Sequence, residues 1–399
     1  MQSRNRRKRD ASTISICFTS MKLAFISLME GVPGGGSEAL WKKTAHLALE
    51  QGHGVNISVV DWGAENNVQF RSLADKGAKL HFRKKYRPHL PPLKKLWNYF
   101  ETHIARPNAN WLFLLKEKPA HVLISQGGSF DLVQHHRDLL SILQRHGITY
   151  SLVCHSHPQF AYIPDETVRK HAPEMFLKAR HVFFISSTQQ RLVERVIMQP
   201  LPHASFTWNP LNLKSPECLE WPPNEVPQFA MVGGLVSGKG HDLAMAILSK
   251  EAWTKRTWHL NIYGDGYGSA YLKRLAGTDR LSERISFHGQ VKGAEEIWAK
   301  NHILLVPSSG EGLPIAIVEA MVSGRPVVAT DVGGIAELVK EKTNGFISAG
   351  PTASSFGAAM ERAWESRRTW EKIGAANHHE ILERIDLQPE RKVLEAMTK

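Results

Sequence analysis

The chain has 399 residues, of which 42% are hydrophobic, and its formal net charge is +12 at pH 7. The length suits two domains with packed cores, and the sequence has no run of about 18 apolar residues that could span a membrane. Three cysteines, Cys17, Cys154 and Cys218, lack paired or metal-ligand spacing, which excludes a disulfide framework and favours a reducing, cytoplasmic compartment. The charge favours anionic partners, namely nucleotides, acidic glycans, anionic lipid or nucleic acid, without choosing among them.

The first 20 residues begin with a basic cluster followed by an apolar stretch, which imitates a secretory signal. Lys22 interrupts the apolar run, and no small-residue cleavage site follows it. We therefore interpret residues 1–20 as a disordered basic extension, with Met21 as an alternative start of translation. Residues 21–27 form the first predicted buried strand.

From residue 21 onward, strand and helix patterns alternate along the chain. This alternation predicts a parallel, doubly wound α/β sheet. Prolines mark residues 211–227 as a linker, and a second alternation begins at residue 229. The strand-like runs of the first half are residues 23–27, 55–60, 122–125, 150–154 and 182–186.

A glycine-rich segment that contains Gly34, Gly35 and Gly36 follows the first strand and opens a helix that extends to about residue 50. Its backbone could hold a phosphate or admit a second substrate. Gly34-x-Gly36-x-x-Ala39, with Asp61 after the second strand, also fits a dinucleotide fingerprint and makes an NAD-dependent oxidoreductase an alternative. In that fingerprint the first glycine follows the strand almost directly, whereas several residues intervene here.

Residues 83–106 form a basic stretch with a single acid, Glu101. Within it, apolar side chains recur at helical spacing, which is typical of two different structures. The helix could lie on an anionic membrane surface, or it could pack on the sheet with its lysines in solvent. The apolar residues of this pattern are Leu93, Leu96, Trp97, Phe100 and Ile104.

Two later loops follow predicted strands, at the sheet edge where open α/β sheets bind ligands. His155 and His157 come after the strand at 150–154, and they lack the further ligands that zinc would need. Lys239 lies in the glycine-rich loop 233–240 and could neutralise a diphosphate. Each of these side chains could also be a loop residue with no further role.

A second strand, loop and helix unit contains two carboxylates, Glu311 and Glu319. Pro314 occupies the predicted first position of the helix, whose N–H groups favour an anion such as a phosphate. Glu319 lies five residues further along, with its side chain directed back toward the helix start. It could reach a ribose hydroxyl while Glu311 holds hydroxyls on the other side of the phosphate. Alternatively, Glu319 is a solvent-side helix residue and Glu311 a loop charge.

The run from Glu311-Gly312-Leu313-Pro314 to Glu319-Ala320-Met321, followed by Gly324-Arg325-Pro326 and Gly333-Gly334-x-x-Glu337, resembles the signature of family 4 (group 1) glycosyltransferases. The resemblance covers roughly residues 21–375 and is stronger in the second half. It implies a GT-B fold, with two Rossmann-like domains facing each other across a cleft. It also implies transfer of a sugar from a nucleoside-diphosphate sugar to an acceptor hydroxyl, with retention of configuration and without a metal or other cofactor. The sequence has no Asp-x-Asp metal motif.

The resemblance also implies roles for individual residues. Glu311 would lie against the donor sugar as a catalytic residue, and Glu319 would bind the nucleotide ribose. His155, favoured over His157, would be a second catalytic residue close to the donor sugar. The family commonly has arginine at the place of Gly234, so one diphosphate anchor is absent here. The other donor-binding residues would be Gly35, Lys239, Gly312, Leu313 and Ile315.

By the same resemblance, residues 21–210 form an acceptor-side domain and residues 228–375 a nucleotide-sugar-binding domain, and residues 376–399 form a helix that returns to the first domain. The expected partners are the sugar donor and a glycan or glycolipid acceptor, in the biosynthesis of cell-surface polysaccharide, lipopolysaccharide or glycolipid. Peripheral contact with the inner face of the cytoplasmic membrane is an option, and nucleic acid is not an expected partner. A same-fold sugar-nucleotide epimerase and a non-catalytic binding protein of this fold stay open as alternatives.

Overall fold

The computed structural model describes residues 20–30, 34–84, 109–156 and 162–399. These residues form two parallel sheets, each with hydrophobic cores on both faces. The strands of the first sheet are β1 (Lys22–Ser27), β2 (Gly54–Val60), β3 (Lys79–Arg83), β4 (His121–Gly128), β5 (Tyr150–Ser156), β6 (Val182–Phe184) and β7 (Ala204–Phe206). Those of the second sheet are β8 (Gln228–Val232), β9 (His259–Tyr263), β10 (Ile285–Gly289), β11 (Ile303–Val306), β12 (Val327–Thr330) and β13 (Gly345–Ser348).

Helices connect the strands of both sheets. In the first half they are α1 (Ala39–Glu50), α2 (Ala64–Asn67), α3 (Arg71–Asp75), α4 (Leu112–Glu117), α5 (Asp131–His135), α6 (Arg137–Arg145), α7 (Glu166–Leu177) and α8 (Ser187–Ile197). In the second half they are α9 (His241–Leu248), α10 (Glu251–Thr254), α11 (Ser269–Thr278), α12 (Ala294–Trp298), α13 (Ile315–Val322), α14 (Ile335–Leu338), α15 (Ala353–Glu365), α16 (Trp370–Leu382) and α17 (Pro389–Thr398). Short 3-10 helices lie at Gly36–Glu38, Val68–Phe70, Ala109–Trp111 and Arg367–Thr369.

The strand order is β3-β2-β1-β4-β5-β6-β7 in the first sheet and β10-β9-β8-β11-β12-β13 in the second. The direction of winding reverses between β1 and β4, and again between β8 and β11. In open α/β sheets, ligands bind outside the carboxyl ends of the strands at such a reversal. The predicted α/β class with two doubly wound domains is therefore confirmed, and each sheet offers one such crevice.

The strands are apolar along their length because helices cover both faces of each sheet. In β1, Leu23 and Phe25 pack in the same buried cluster as Trp41 of α1, whereas Ala24 and Ile26 pack on the opposite face with Trp111. This alternation follows from the two-residue period of a strand. Burial on both faces fixes the register of β1 in the centre of its sheet.

The last helix, α17, packs on the first sheet although it follows the second sheet in the chain. Val393, Leu394 and Met397 are buried in the cluster that contains Leu23 and Phe25. The chain thus crosses from one sheet to the other twice, once at residues 207–227 and once at 383–388. The exact domain limits at residues 210, 227 and 375 stay predictions.

Arg325 of the sequence signature holds the first crossover against the second sheet. The residue is 1% exposed, and its guanidinium donates hydrogen bonds to the carbonyl oxygens of Trp298 at 2.9 Å, Glu220 at 2.5 Å and Leu219 at 3.3 Å. A buried arginine needs such acceptors, because its charge cannot be removed at neutral pH. This part of the signature is therefore structural.

Two predicted boundaries are corrected. His155 was expected to follow a strand that ends at residue 154, but β5 continues through His155 to Ser156. Pro314 was expected to be the first helical residue, but its ψ of 123° is extended and it is the N-cap of α13, which begins at Ile315. An N-cap keeps non-helical dihedral angles while its carbonyl accepts the first hydrogen bond of the helix.

Some expectations lie outside the described residues, namely most of the basic extension 1–20, the amphipathic pattern at 93–104 and His157. Arg83 belongs to β3 instead of a basic surface, since it is buried and donates to the carbonyl oxygen of Ser27 at 2.5 Å. Among the residues that the structure describes, no helix has the length and apolar character needed to cross a bilayer.

Candidate active site

A cleft of about 730 Å³ lies where the carboxyl ends of the two sheets face each other. The first domain lines it with the glycine-rich loop after β1 and with the ends of β4 and β5, and the second domain with the loops after β8 and β11. The structure brings together all of the predicted site residues that it describes. The cleft is lined by Gly35, His155, Lys239, Glu311, Gly312, Leu313, Ile315 and Glu319.

Lys239 and Glu311 form an ion pair across the crevice between β8 and β11. Lys239 Nζ donates to Glu311 Oε1 at 2.6 Å, and Ser308 Oγ donates to the same oxygen at 2.8 Å. The side chain of Glu311 is 11% exposed and that of Lys239 is 33% exposed. An anionic ligand that binds Lys239 must therefore compete with a carboxylate already in place.

Glycines allow the loops that carry this pair to approach each other. Gly240 has φ +73°, and a Cβ there would lie 2.4 Å from the carbonyl oxygen of Pro307. Gly238 has φ +87°, and its carbonyl oxygen accepts the N–H of Ser309 at 2.8 Å. Both positions favour glycine, because other residues rarely adopt positive φ. The backbone thereby places Lys239 directly beside the loop that ends in α13.

Glu319 lies on α13 and is 3% exposed, so the alternative that it is a solvent-side helix residue is wrong. Its Oε1 accepts the backbone N–H of Asn212, in the crossover between the sheets, at 2.9 Å. Burial raises the pKa of this carboxyl to about 7, although the hydrogen bond from Asn212 opposes the shift. A carboxyl that is costly to ionise and lines a cleft is a candidate for ligand binding.

Glu319→Gln is expected to stabilise the protein without ligand at pH 8. The folded state binds the proton of Glu319 more tightly than the unfolded state does, because the pKa is raised from 4.5 to about 7. Ionisation therefore lowers the free energy of unfolding as the pH rises from 4.5 to 7, by up to about 3 kcal/mol. Urea unfolding of both proteins should show a more stable variant at pH 8 and nearly equal stabilities at pH 4.

A control for this comparison is Glu361→Gln, which removes a carboxylate paired with Arg256 outside the cleft. This variant should not gain stability at pH 8. A Glu319→Gln protein that is less stable than the wild type at pH 8, or a difference that does not change with pH, would contradict the interpretation.

His155 is 5% exposed and lies across the cleft from the second domain. Its Nε2 lies 3.1 Å from Ser125 Oγ, and its Nδ1 has no partner among the described residues. Burial lowers the pKa of the imidazole to about 4, so the ring is neutral at pH 7. A neutral imidazole can exchange a hydrogen bond with a sugar hydroxyl but supplies no positive charge.

The backbone of His155 is also the closest point of contact with the signature loop. A Cβ on Gly312 would lie 1.9 Å from the carbonyl oxygen of His155. On the other side of the loop, the N–H of Gly334 donates to the carbonyl oxygen of Gly312 at 2.6 Å. Gly312 is therefore required by close packing between the domains, a reason that sequence spacing did not reveal.

The glycine-rich loop after β1 makes a similar approach at Gly36. A Cβ there would lie 2.7 Å from Ile315 Cδ1, whereas one on Gly35 would meet only Ser37 Oγ, at 3.7 Å. The sequence singled out Gly35, but the closer contact is at Gly36, where the end of the Ile315 side chain would have to move to admit a Cβ. The dinucleotide alternative gains no support from Asp61, which is not among the described residues that line the cleft.

Glu337, the last residue of the quoted signature, joins the two domains. Its carboxylate accepts the backbone N–H groups of Ser187 at 3.2 Å and Thr188 at 2.7 Å, at the start of α8. Burial disfavours the charge, but these hydrogen bonds prevail and the pKa of Glu337 is lowered. Carboxylates at a helix start satisfy N–H groups that the helix leaves unpaired. The sequence offered no signal that the partner would lie in the other domain.

Two cleft residues were not given a role from the sequence pattern. His241, the first residue of α9, is 4% exposed and lines the cleft. Gly234 also lines it, and a Cβ there would make only ordinary contacts at 3.8 Å. Packing therefore does not explain why glycine stands at the place where the family commonly has arginine. Within the described residues, no cluster of three or more His, Cys, Asp or Glu side chains could hold a metal.

Residues 226–366 match the model of a family described as glycosyl transferases group 1. Among curated proteins, an uncharacterized glycosyltransferase of Haemophilus influenzae is 33% identical over 117 residues, which cover 29% of this chain and 33% of that protein. One component of the human phosphatidylinositol N-acetylglucosaminyltransferase is 23% identical over 360 residues, covering 87% of this chain and 69% of that protein. The match thus spans only a third of the first relative's length.

Among solved structures, that of Anabaena HepE in complex with UDP and glucose superposes with a TM-score of 0.70. The two chains are 16% identical, and the superposition covers 95% of this chain and 100% of the other. At this identity the likeness shows the fold, which is the GT-B fold expected from the sequence. Residues 226–366 are therefore similar to the glycosyl transferases group 1 family, within a chain that has the GT-B fold.

Proposed function

We propose that this protein is a glycosyltransferase that moves a sugar from a nucleoside-diphosphate sugar to an acceptor hydroxyl. The observation that carries the proposal is the interdomain cleft. It brings together Lys239 and Glu311, on the loops that lead into α9 and α13, and Glu319, on α13 itself. The match of residues 226–366 to group 1 glycosyltransferases supports the same reaction class. A solved neighbour whose structure contains UDP and glucose supports a nucleoside-diphosphate sugar as the donor.

In the proposed reaction, the diphosphate of the donor lies between Lys239 and the start of α13. The N–H groups at a helix start carry partial positive charge and are not paired within the helix. Together with Lys239 they stabilise the negative charge that develops on the leaving diphosphate as the bond to the sugar breaks. Gly35, Gly312, Leu313 and Ile315 would bring backbone close to the phosphates.

The two carboxylates are proposed to bind different parts of the donor. Glu319, directed toward the helix start and buried beside Asn212, would accept hydrogen bonds from the ribose hydroxyls. Glu311 would accept hydrogen bonds from hydroxyls of the donor sugar, after Lys239 has turned toward the phosphate. His155 faces this position from the first domain and would orient a sugar hydroxyl as a neutral ring.

Closure of the cleft would exclude water and align the donor with the acceptor. The two domains already meet where Gly312 lies against His155 and where Glu337 binds the N–H groups of Ser187 and Thr188. Retention of configuration, independence of metal ions and membership of family 4 are parts of the proposal that rest on the sequence resemblance.

The acceptor is proposed to be a glycan or glycolipid of the cell surface. The relative that aligns over 87% of this chain is named for N-acetylglucosamine transfer to phosphatidylinositol, which supports a lipid-linked acceptor. The protein is also proposed to bind the inner face of the cytoplasmic membrane. The basis for this is the basic stretch at residues 83–106, most of which lies outside the described part of the chain.

The test is a thermal-shift screen of the purified protein with UDP, GDP, ADP, CMP, NAD and their common sugar conjugates, without added metal. A ligand that binds only the folded state adds about 2.7 kcal/mol of stability at 100 times its dissociation constant. We expect one nucleoside diphosphate and its sugar conjugate to raise the melting temperature. That sugar conjugate is then offered with candidate acceptors, and release of the nucleoside diphosphate is measured.

A matched pair of variants locates the binding site. Lys239→Met should reduce the thermal shift, whereas Lys255→Met should not, because Lys255 makes a similarly short ion pair, with Glu251, on the surface outside the cleft. A response to NAD alone would instead favour an oxidoreductase. Binding of a sugar nucleotide that is isomerised without transfer would favour an epimerase. If no nucleotide in the screen raises the melting temperature, a non-catalytic binding protein would be favoured.

A further inference from the structure

Among the described residues, the cleft contains little positive charge for a site that is proposed to hold a diphosphate. Of the described residues that line it, Lys239 is the one lysine or arginine, and Glu311 already pairs with it at 2.6 Å. Glu319 adds a second carboxyl to the same cleft. A diphosphate ester brings two negative charges, so Lys239 alone leaves the complex with unbalanced negative charge. A second cation in the cleft would add to the positive charge supplied by Lys239 and by the N–H groups at the start of α13.

His241 is placed to supply this charge. It follows Lys239 by two residues, begins α9 and lines the cleft beside the ends of β8 and β11. The residue is 4% exposed, yet no described residue makes a hydrogen bond to its ring. A buried imidazole normally has a partner for at least one nitrogen. The ring nitrogens of His241 are not among the fully buried polar atoms that lack a partner, so they reach the cleft, where a ligand can bind them.

We propose that His241 is the second cation of the diphosphate site, neutral in the free protein and protonated when the donor binds beside Lys239. The inference rests on the proposed function, because the anion is the diphosphate of the sugar donor. It adds a residue whose charge appears only with the ligand. The free protein thereby avoids holding two buried positive charges side by side.

The surroundings of His241 account for its neutral state. Burial lowers the pKa of the imidazole to about 4, and the positive charge of Lys239 contributes to this lowering. Asp242, on the same helix, favours the charged form but does not overcome these effects. Glu311 is engaged by Lys239. Two phosphate charges next to the ring would reverse the balance, because opposite charges within about 4–6 Å favour the ionised form.

His155 is the other buried histidine of the cleft, and it is less suited to this role. Its Nε2 is already within hydrogen-bond distance of Ser125 Oγ, and it belongs to the opposite domain. His241, in contrast, lies on the same loop and helix as Lys239. The two side chains can therefore bind one phosphate group together without depending on domain closure.

Titration calorimetry tests the inference through proton uptake. The sugar nucleotide selected by the thermal-shift screen, UDP-glucose being tried first, is titrated at pH 6 in buffers with different ionisation enthalpies. A sugar nucleotide is used because both of its phosphates stay ionised near neutral pH. We expect binding to take up close to one proton through His241, and His241→Gln to reduce the uptake by about that amount. The affinity should fall about tenfold.

A matched control is His302→Gln. His302 is 5% exposed in the same domain and does not line the cleft, so its loss should leave the proton uptake unchanged. Glu319 and His155 can also change protonation on binding, but they are present in all three proteins, so the difference between the proteins isolates His241. His241→Asn provides a second variant if the glutamine variant does not fold.

The outcomes separate this inference from the proposed function. Binding with equal proton uptake in the wild type and in His241→Gln overturns the inference and leaves the proposed function intact. Failure of every nucleoside-diphosphate sugar to bind the wild type overturns the proposed function, and the inference with it. Uptake that is lost in the His241 variants and kept in His302→Gln supports both.

Discussion

Gly312→Ala is expected to lower the transfer rate by about a hundredfold, because it separates the two domains at the cleft. The new Cβ would lie 1.9 Å from the carbonyl oxygen of His155, and a backbone atom cannot rotate away. The signature loop must then move away from the first domain, together with Glu311. The kcat/KM for the donor measures the loss, while the melting temperature should change little, since the cores of both sheets are unaffected.

Gly310→Ala is the matched control in the same loop. Neither glycine has a positive φ, and a Cβ on Gly310 would have no atom within 4 Å. The same substitution two residues away should therefore preserve most of the activity. Equal activities of the two variants would show that close contact between Gly312 and His155 is not needed for the reaction.

Glu311→Ala is expected to slow transfer by roughly 30- to 150-fold, which corresponds to the loss of about 2 to 3 kcal/mol from a charged hydrogen bond to the donor sugar. The structure adds an expectation for the free nucleoside diphosphate. Glu311 accepts a hydrogen bond from Lys239 Nζ at 2.6 Å, so removal of the Glu311 carboxylate leaves the Lys239 ammonium free to bind phosphate. The variant should bind the free diphosphate at least as tightly as the wild type does, while its transfer rate falls.

Measuring the two quantities separately distinguishes a sugar contact from a general binding defect. Glu341→Ala serves as a control, because it removes a carboxylate paired with Arg362 at 2.7 Å, away from the cleft. It should change neither the rate nor the affinity. If Glu311→Ala lowers the affinity for the free nucleoside diphosphate by as large a factor as it lowers the transfer rate, the assignment of Glu311 to the donor sugar is wrong.

In the first sheet, the long apolar strands in the centre could be predicted from the sequence, whereas the edge strands could not. The central strands β1, β4 and β5 are apolar because helices bury both of their faces. The edge strands β3 and β7 were missed. In β7 all three residues are only partly buried, and β3 contains the polar and charged residues His81 and Arg83. An edge strand has one neighbour and needs fewer apolar side chains, so its pattern resembles that of a loop.

The residues of the candidate site likewise divide into those that could be predicted from the sequence and those that could not. Glu311 and Glu319 were found because their spacing belongs to a recognisable local unit, a strand, a loop and a helix start. Gly36 and Glu337 were not assigned their contacts, because each of them meets the other domain. Such contacts join residues far apart in the chain, as between Glu337 and Ser187, which are 150 positions apart. Periodicity and capping signals extend over only a few turns and carry no information at that range.

By itself, the sequence determined the fold class, the two alternations of strand and helix, and the position of the signature residues on local loops. These features follow from short-range physics, namely side-chain periodicity, glycine and proline dihedral preferences, and unpaired N–H groups at helix starts. Only the tertiary structure decided that Glu319 is buried, that Lys239 pairs with Glu311, and that His241 lies in the cleft without a hydrogen-bond partner among the described residues. Burial and pairing depend on what packs around a side chain, and these neighbours come from distant parts of the chain.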